Sequence, residues 1–393
     1  MRIVGVIAEY NPFHHGHAWQ LRQARKLARA DAVVVVMSSC FTQRGEAALL
    51  SPADRARMAL GCGADAVFAL PAMWSVRDAE HFALGGVAIL RALGVDAISF
   101  GAETADADRL WAAARLLEQP SDALSAATQN RLNQGLSWPE ALAAATASLD
   151  PDAGKLLRSP NNTLAICYLR AMLRLGAGMD VYPVPRQGDY HETAVSGAFA
   201  SATALRGAIL RGDWQSAGLA MPEKAFAILR NATLHGRLHR PEALDLPLLY
   251  RLRGMSDEEL AGLPDLSEGV EQRLHTAALT ARSREALLQA AKTRRYPYAR
   301  LSRLCAHALL GFTADLFKET LLPPAAWLLG LQDTARPLMA RLGNNGFPII
   351  AKAADYDRSQ PWFQAELRAY DIWALGAELP AGYGLQMGVV NVK

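Results

Sequence analysis

The chain has 393 residues, 51% hydrophobic and 20% charged. This is an ordinary globular balance with room for two or three domains, and it excludes a disordered chain. A formal net charge of +3 at pH 7 allows a nucleic-acid partner only where basic residues cluster. The four cysteines (Cys40, Cys62, Cys167 and Cys305) are scattered without a CxxC, as expected of a reducing, cytoplasmic compartment. No apolar run is long enough to span a membrane, the N-terminal one is too short and wrongly flanked for a signal peptide, and nothing calls for a protein partner.

Residues 3–8 are an apolar run that predicts a buried parallel strand. Asn11-Pro12 breaks the run, and His14-His15-Gly16-His17 follows at the mouth of a helix predicted over 17–30. Further strands are predicted over 32–37, 65–70 and 96–100. Helices over 52–61 and 79–93 fall between them, the first with Ser51 as cap and Pro52 at its opening position. Such alternation predicts right-handed βαβ units in a Rossmann-like, doubly wound parallel sheet of α/β class. Residues 106–150 read as Ala-rich helix and 179–184 as a fifth strand, so a first domain is expected over 1–212. Helical patterns then follow over 224–234, 247–253, 257–261, 270–281, 284–291, 297–310 and 316–319. From 325 onward a helix, an apolar run over 347–351 and a helix over 363–375 are expected. Residues 213–393 are thus expected to form a mainly helical C-terminal region, with no internal repeat or low-complexity segment.

A His-x-Gly-His where a first strand hands over to a first helix points to nucleotide chemistry. The helix N-terminus presents unpaired N–H groups and partial positive charge, which attract phosphate. Gly16 lets the backbone come close to a ligand, and the two imidazoles add donors. A metal site would need a full ligand set, and no Cys or carboxylate follows at ligand spacing. Polar clusters also fall where strand-to-helix loops should line a crevice: Ser38 to Glu46, Gly101 to Glu103, Ser159 to Thr163, Pro185 to His191, and Ser201 to Arg206. Singly, Ser201-x-Thr203-x-x-Arg206 is a helix cap and Asn161-Asn162 a turn; their shared rim is what favours a ligand site. A basic run, Lys292-Thr-Arg294-Arg295-Tyr296-Pro-Tyr298-Ala-Arg300-Leu-Ser-Arg303, stands in the helical half. By spacing, Arg300, Arg303 and His307 share a helix face. Cations with interleaved tyrosines suit RNA, and the alternative is a solvated basic face.

The opening Gly5-Val-Ile-Ala-Glu-Tyr-Asn-Pro-Phe-His-His-Gly-His17 resembles the bacterial tRNA(Met) cytidine acetate ligase family, of the HxGH nucleotidyltransferase superfamily. In-order agreement continues through Thr42–Glu46, Ser99–Glu103, Ser159–Asn162, Tyr190-His-Glu192, Ser201–Arg206 and Lys292–Tyr296. The family usually has Asn at the position of His15. The resemblance implies an ATP-dependent ligase that makes acetyl-adenylate from acetate. The acetyl group then passes to N4 of the wobble cytidine of elongator tRNA(Met). It implies catalytic roles for His14, His17 and Arg206. ATP would be bound by the run Ile7-Ala8-Glu9-Tyr10-Asn11-Pro12-Phe13-His14-His15-Gly16-His17 with Gly101, Asn161, Asn162, Arg186, Gln187, Ser201 and Thr203. RNA would be bound by Lys292, Arg294, Arg295, Arg300 and Arg303. Mg²⁺ could bridge the phosphates, although no carboxylate demands it. Two rival readings stay open: a nucleotidyltransferase adenylylating a small phosphorylated acceptor, and a non-catalytic RNA-binding scaffold.

Overall fold

The computed structural model describes residues 1–186, 200–266 and 269–392. Eight strands make one sheet: β1 (Ile3–Ala8), β2 (Ala32–Ser38), β3 (Ala66–Leu70), β4 (Ala97–Ala102), β5 (Asp180–Pro185), β6 (Ala326–Gln332), β7 (Ile349–Ile350) and β8 (Val390–Val392). Their order is β5-β4-β1-β2-β3-β6-β7, with β8 also paired to β6. β1 to β5 pair with one another in parallel. β2 and β3 are buried along their whole length, which is why they read as unbroken apolar runs. From β1 the chain moves outward through β2 and β3, then returns to lay β4 and β5 on the other side. The sequence order therefore reverses between β1 and β4, and a crevice opens at their carboxyl ends.

The first helix spans His15–Ala28, two residues earlier than expected because His14 itself caps it. Ser51 caps Pro52–Gly61 as the sequence suggests, its hydroxyl accepting the Asp54 N–H at 3.0 Å. The helix expected after 325 is Arg336–Gly343, but an unexpected strand precedes it: β6, antiparallel to β3 in the main sheet. Its sequence, Ala-Trp-Leu-Leu-Gly-Leu-Gln, carries no strand-specific local signal; pairing with a strand far away in sequence decides its form. Residues beyond 212 thus help build the same sheet as residues 1–185. Trp327 of β6 packs on Tyr370 and Phe363 of the helix Pro361–Gly376, with ring centroids 5.1 and 5.6 Å apart.

Between these returns, residues 248–308 fold around a second, smaller core. This helical region docks through specific contacts. The Arg77 and Asp265 side chains pair at 3.0 Å, and the buried His307 ring donates from Nε2 to the Val76 carbonyl at 2.6 Å. No helix among the described residues is long and apolar enough to cross a membrane.

Candidate active site

At the carboxyl ends of β1, β4 and β5 lies a cleft of about 550 Å³. His14 caps the first helix from extended backbone. Its Nδ1 accepts the Gly16 N–H at 3.1 Å, and His17 Nδ1 accepts the His14 N–H at 3.2 Å. The two rings stack with centroids 3.7 Å apart. Burial pushes the His14 imidazole down to about 3, with Arg186 and His15 adding to it. Burial likewise takes His17 well below its usual value, with help from His14 and Arg186. Both rings are therefore neutral, and because each Nδ1 accepts, the ring proton sits on Nε2. The pair offers two uncharged N–H donors of fixed tautomer.

Gly16 serves this cap in a way the sequence does not reveal. A Cβ there would lie 2.9 Å from the His14 ring, so the missing side chain makes room for the imidazole. Phe13 lies buried beneath, its ring 4.8 Å from Tyr10 and 5.5 Å from His17.

Cations form the facing wall. Arg206 donates to the Asn11 carbonyl at 2.9 Å and to Thr203 Oγ1 at 3.3 Å, and stands 3.6 Å from Glu46. Arg44 reaches the same Thr203 hydroxyl at 3.5 Å. Ser201 caps the helix Ala202–Leu210 by accepting the Ala204 N–H at 3.1 Å. On the other side Arg186 donates to Asn161 Oδ1 at 2.9 Å. Glu9 lies in the cleft and accepts the Gln43 N–H at 2.7 Å; desolvation raises its proton affinity, while Gln43, Arg44 and Arg206 oppose that. Behind the wall, Arg55 is buried and donates to the Leu50, Glu9, Ser38 and Ser39 carbonyls. It ties the loop after β1 to the loop after β2. Two helix N-termini and several guanidinium groups thus converge beside two neutral donors, an arrangement suited to a polyphosphate. Among the described residues, no three His, Cys, Asp or Glu side chains come together to hold a metal ion.

Residues 1–383 match the family model described as HIGH Nucleotidyl Transferase. The chain is 34% identical over 382 residues to the tRNA(Met) cytidine acetate ligase of Geobacillus sp. (strain WCH70), covering 94% of this chain and 93% of that one. It is 38% identical over 325 residues to the ligase of the same name from Syntrophotalea carbinolica, covering 82% and 77%. This chain belongs to the tRNA(Met) cytidine acetate ligase family of the HIGH nucleotidyl transferases. Two solved structures of a family member agree over 100% of both chains at 26% identity. They are Thermotoga maritima TmcAL in its apo form, with a TM-score of 0.92, and the same protein bound with alpha-thio ATP, with a TM-score of 0.90.

Of the residues that the family resemblance nominates for catalysis or ATP, the cleft is lined by Ile7, Ala8, Glu9, Tyr10, Asn11, His14, Gly16, His17, Gly101, Asn161, Arg186, Ser201, Thr203 and Arg206. Pro12 and Phe13 are buried beneath the wall, and His15 sits outside it on the first turn. The residue at which this chain departs from the family pattern is therefore not a wall residue. Asn162 is buried behind Asn161, its Oδ1 accepting the Thr104 N–H at 2.9 Å. Gln187 and the Tyr190-His191-Glu192 segment lie outside the described residues.

Sequence reasoning missed what Glu103 does. Its carboxylate accepts from the Asn161 side chain at 2.6 Å and from the Asn162 N–H at 2.8 Å, capping the helix Pro160–Leu175. Arg44 and Arg158, also absent from the nominated set, line the cleft; Arg44 could have been found inside the Thr42–Glu46 motif.

The basic run divides in two. Lys292, Arg294 and Arg295 are exposed, whereas Arg300 and Arg303 are partly buried and His307 is in the core. Arg300 lies over the Tyr296 ring and donates to the Asp265 carbonyl at 3.4 Å. The Tyr298 hydroxyl donates to Glu285 at 2.6 Å. The shared helical face and the interleaved tyrosines thus serve mainly to dock this helix, leaving the turn over 292–295 as the outward cationic part.

Proposed function

We infer that this protein is an ATP-dependent acetate ligase acting on tRNA(Met). In the first step a carboxylate oxygen of acetate attacks the α-phosphorus of ATP. Pyrophosphate leaves and acetyl-adenylate forms. In the second, N4 of the wobble cytidine attacks the acetyl carbon, AMP leaves with its electron pair, and a proton is released. The product is N4-acetylcytidine. The observation that carries this reading is the stacked, neutral His14–His17 pair facing a wall of arginines across a nucleotide-sized cleft.

Each Nε2–H donates to a phosphate oxygen as charge builds there, and each ring, neutral already, keeps that proton at working pH. Arg206 and Arg44, with Ser201 and Thr203 at their helix N-terminus, receive the β- and γ-phosphates and hold the leaving pyrophosphate. Gly101, Asn161, Asn162, Arg186 and Gln187 shape the nucleoside end. A Cβ on Gly101 would meet nothing nearer than the Arg186 side chain at 3.5 Å, so the protein itself has space there, and the ligand accounts for the glycine. Residues 1–212 carry the nucleotide site. The helical region beyond them supplies the RNA surface, chiefly Lys292, Arg294 and Arg295, with Arg300 and Arg303 supporting from behind. The cytoplasm, which holds ATP and tRNA and keeps cysteines reduced, is the compartment in which it works.

The test combines labelled acetate, ATP and purified protein, with and without tRNA, followed by nucleoside analysis. Acetyl-adenylate without tRNA and N4-acetylcytidine with it are expected. His14→Ala should lower adenylate formation by roughly 100-fold or more, the scale of losing one preorganised donor, with the circular dichroism spectrum retained. Pyrophosphate release driven by a small phosphorylated acceptor, and not by acetate, would return the chain to simple nucleotidyl transfer.

A further inference from the structure

Trp138 is unlike the other tryptophans of this chain. It is 60% exposed, whereas Trp74, Trp327, Trp362 and Trp373 are buried in the main core and Trp19, Trp111 and Trp214 are partly covered. It opens the helix Trp138–Leu149, where Glu140 fixes the first turn by accepting from the Ser137 hydroxyl at 2.8 Å and its N–H at 3.2 Å. The residue after it, Pro139, lines the nucleotide cleft. On the other side, the Glu140 carboxyl is held below its usual range, first by Ser137 and also by the Arg294 guanidinium. Three consecutive residues thus carry an exposed indole, a cleft-lining proline and a carboxylate that feels the charge of the exposed basic turn over 292–295.

We propose that Trp138 is the stacking platform on which an unpaired nucleobase of the RNA substrate rests as it enters the cleft. This rests on the acetate-ligase reading given above. A base whose exocyclic amine must reach an acyl-adenylate has to leave its stack, and an aromatic face replaces the lost stacking. Phosphates on either side of that base fall within reach of Lys292, Arg294 and Arg295. The helix places the indole at the rim rather than in the wall, so it acts on the RNA and not on ATP.

The experiment uses the full chain and bulk tRNA as the probe. Trp138→Ala should weaken tRNA binding by about 5- to 150-fold, the range for one lost base–aromatic stack, while Trp138→Phe stays within about threefold. Because the stack carries no charge, Trp138→Ala should leave the slope of log K against log salt unchanged; replacing Arg294 and Arg295 together by Ala should flatten it. Acetate-dependent formation of adenylate without tRNA should be unaltered. Unchanged tRNA affinity in Trp138→Ala overturns the proposal. So does parallel loss of adenylate formation, which would make the indole part of the ATP site or of the fold. If the wild-type protein makes no acetyl-adenylate, the function reading fails alone, since the binding assay still decides Trp138.

Discussion

Helix caps usually employ Ser, Thr, Asp or Asn, and a histidine in that position does two jobs with one ring. Its Nδ1 ends the helix, and this fixes the proton on Nε2, where the proposed chemistry needs it. The cost appears in acid. His14, His17, His239 and His307 are all held neutral by burial, His14 to about 3 and His239 and His307 to about 4. The Nε2 of His239 and the Nδ1 of His307 face no polar partner among the described residues, so a second ring proton would find nothing to receive it. An unfolded histidine takes up a proton as pH falls through about 6.5, and these folded ones do not. Their stabilising contribution is therefore complete above about 6.5 and is lost progressively as pH falls toward the folded values. Each such ring should forfeit roughly 1–2 kcal/mol between pH 6.5 and 5. Thermal unfolding followed at both pH values should show a lower midpoint at pH 5, and His307→Gln should narrow the gap. A midpoint independent of pH across that range would contradict the neutral assignment.

The loop over 42–46 links two elements that lie far apart in sequence. Thr42 donates its N–H to the Glu46 carbonyl at 2.9 Å, and Gly45 donates to the Thr42 carbonyl at 2.9 Å. From the helical side, Arg284 donates to the Gly45 carbonyl at 3.0 Å and the Ser302 hydroxyl to the Arg44 carbonyl. Gly45 has φ of +71°, and a Cβ there would sit 2.5 Å from the Ser302 backbone of the helix Tyr298–Leu310. Gly45→Ala should cost about 1–3 kcal/mol through strain and overpacking, read by urea unfolding. It should also weaken ATP binding, because Arg44 moves with the loop. Unchanged stability would mean that the two parts do not press on each other here. This contact also marks where sequence reading stops. β1 to β4 are legible because each is an apolar run bounded by turn residues, and the His-x-Gly-His is legible because it is local. Glu103 meets Asn161 and Asn162 across 58 residues, and periodicity carries no such distance. The spacing of Arg300, Arg303 and His307 identifies a shared helix face correctly, but spacing cannot tell which neighbour that face meets.

At the scale of the molecule, the ends of the chain meet in one sheet. β3 forms an edge until β6 pairs with it, and Trp327, Trp362, Phe363, Tyr370 and Trp373 from the last 70 or so residues complete the main core. A chain cut after residue 212 would expose both the β3 edge and the apolar surface that those aromatic residues cover. It should be insoluble or bind a hydrophobic dye strongly, whereas the full chain should be monodisperse by light scattering. A soluble, cooperatively folding 1–212 fragment would show that the returning strands are dispensable. The same threading has a consequence during synthesis. Roughly 260 residues separate the paired positions Val67 and Gly330, which at about 5–20 residues per second is tens of seconds of translation. For that interval the nascent chain carries an open strand edge on the ribosome, and the cell must shelter it until β6 has been made.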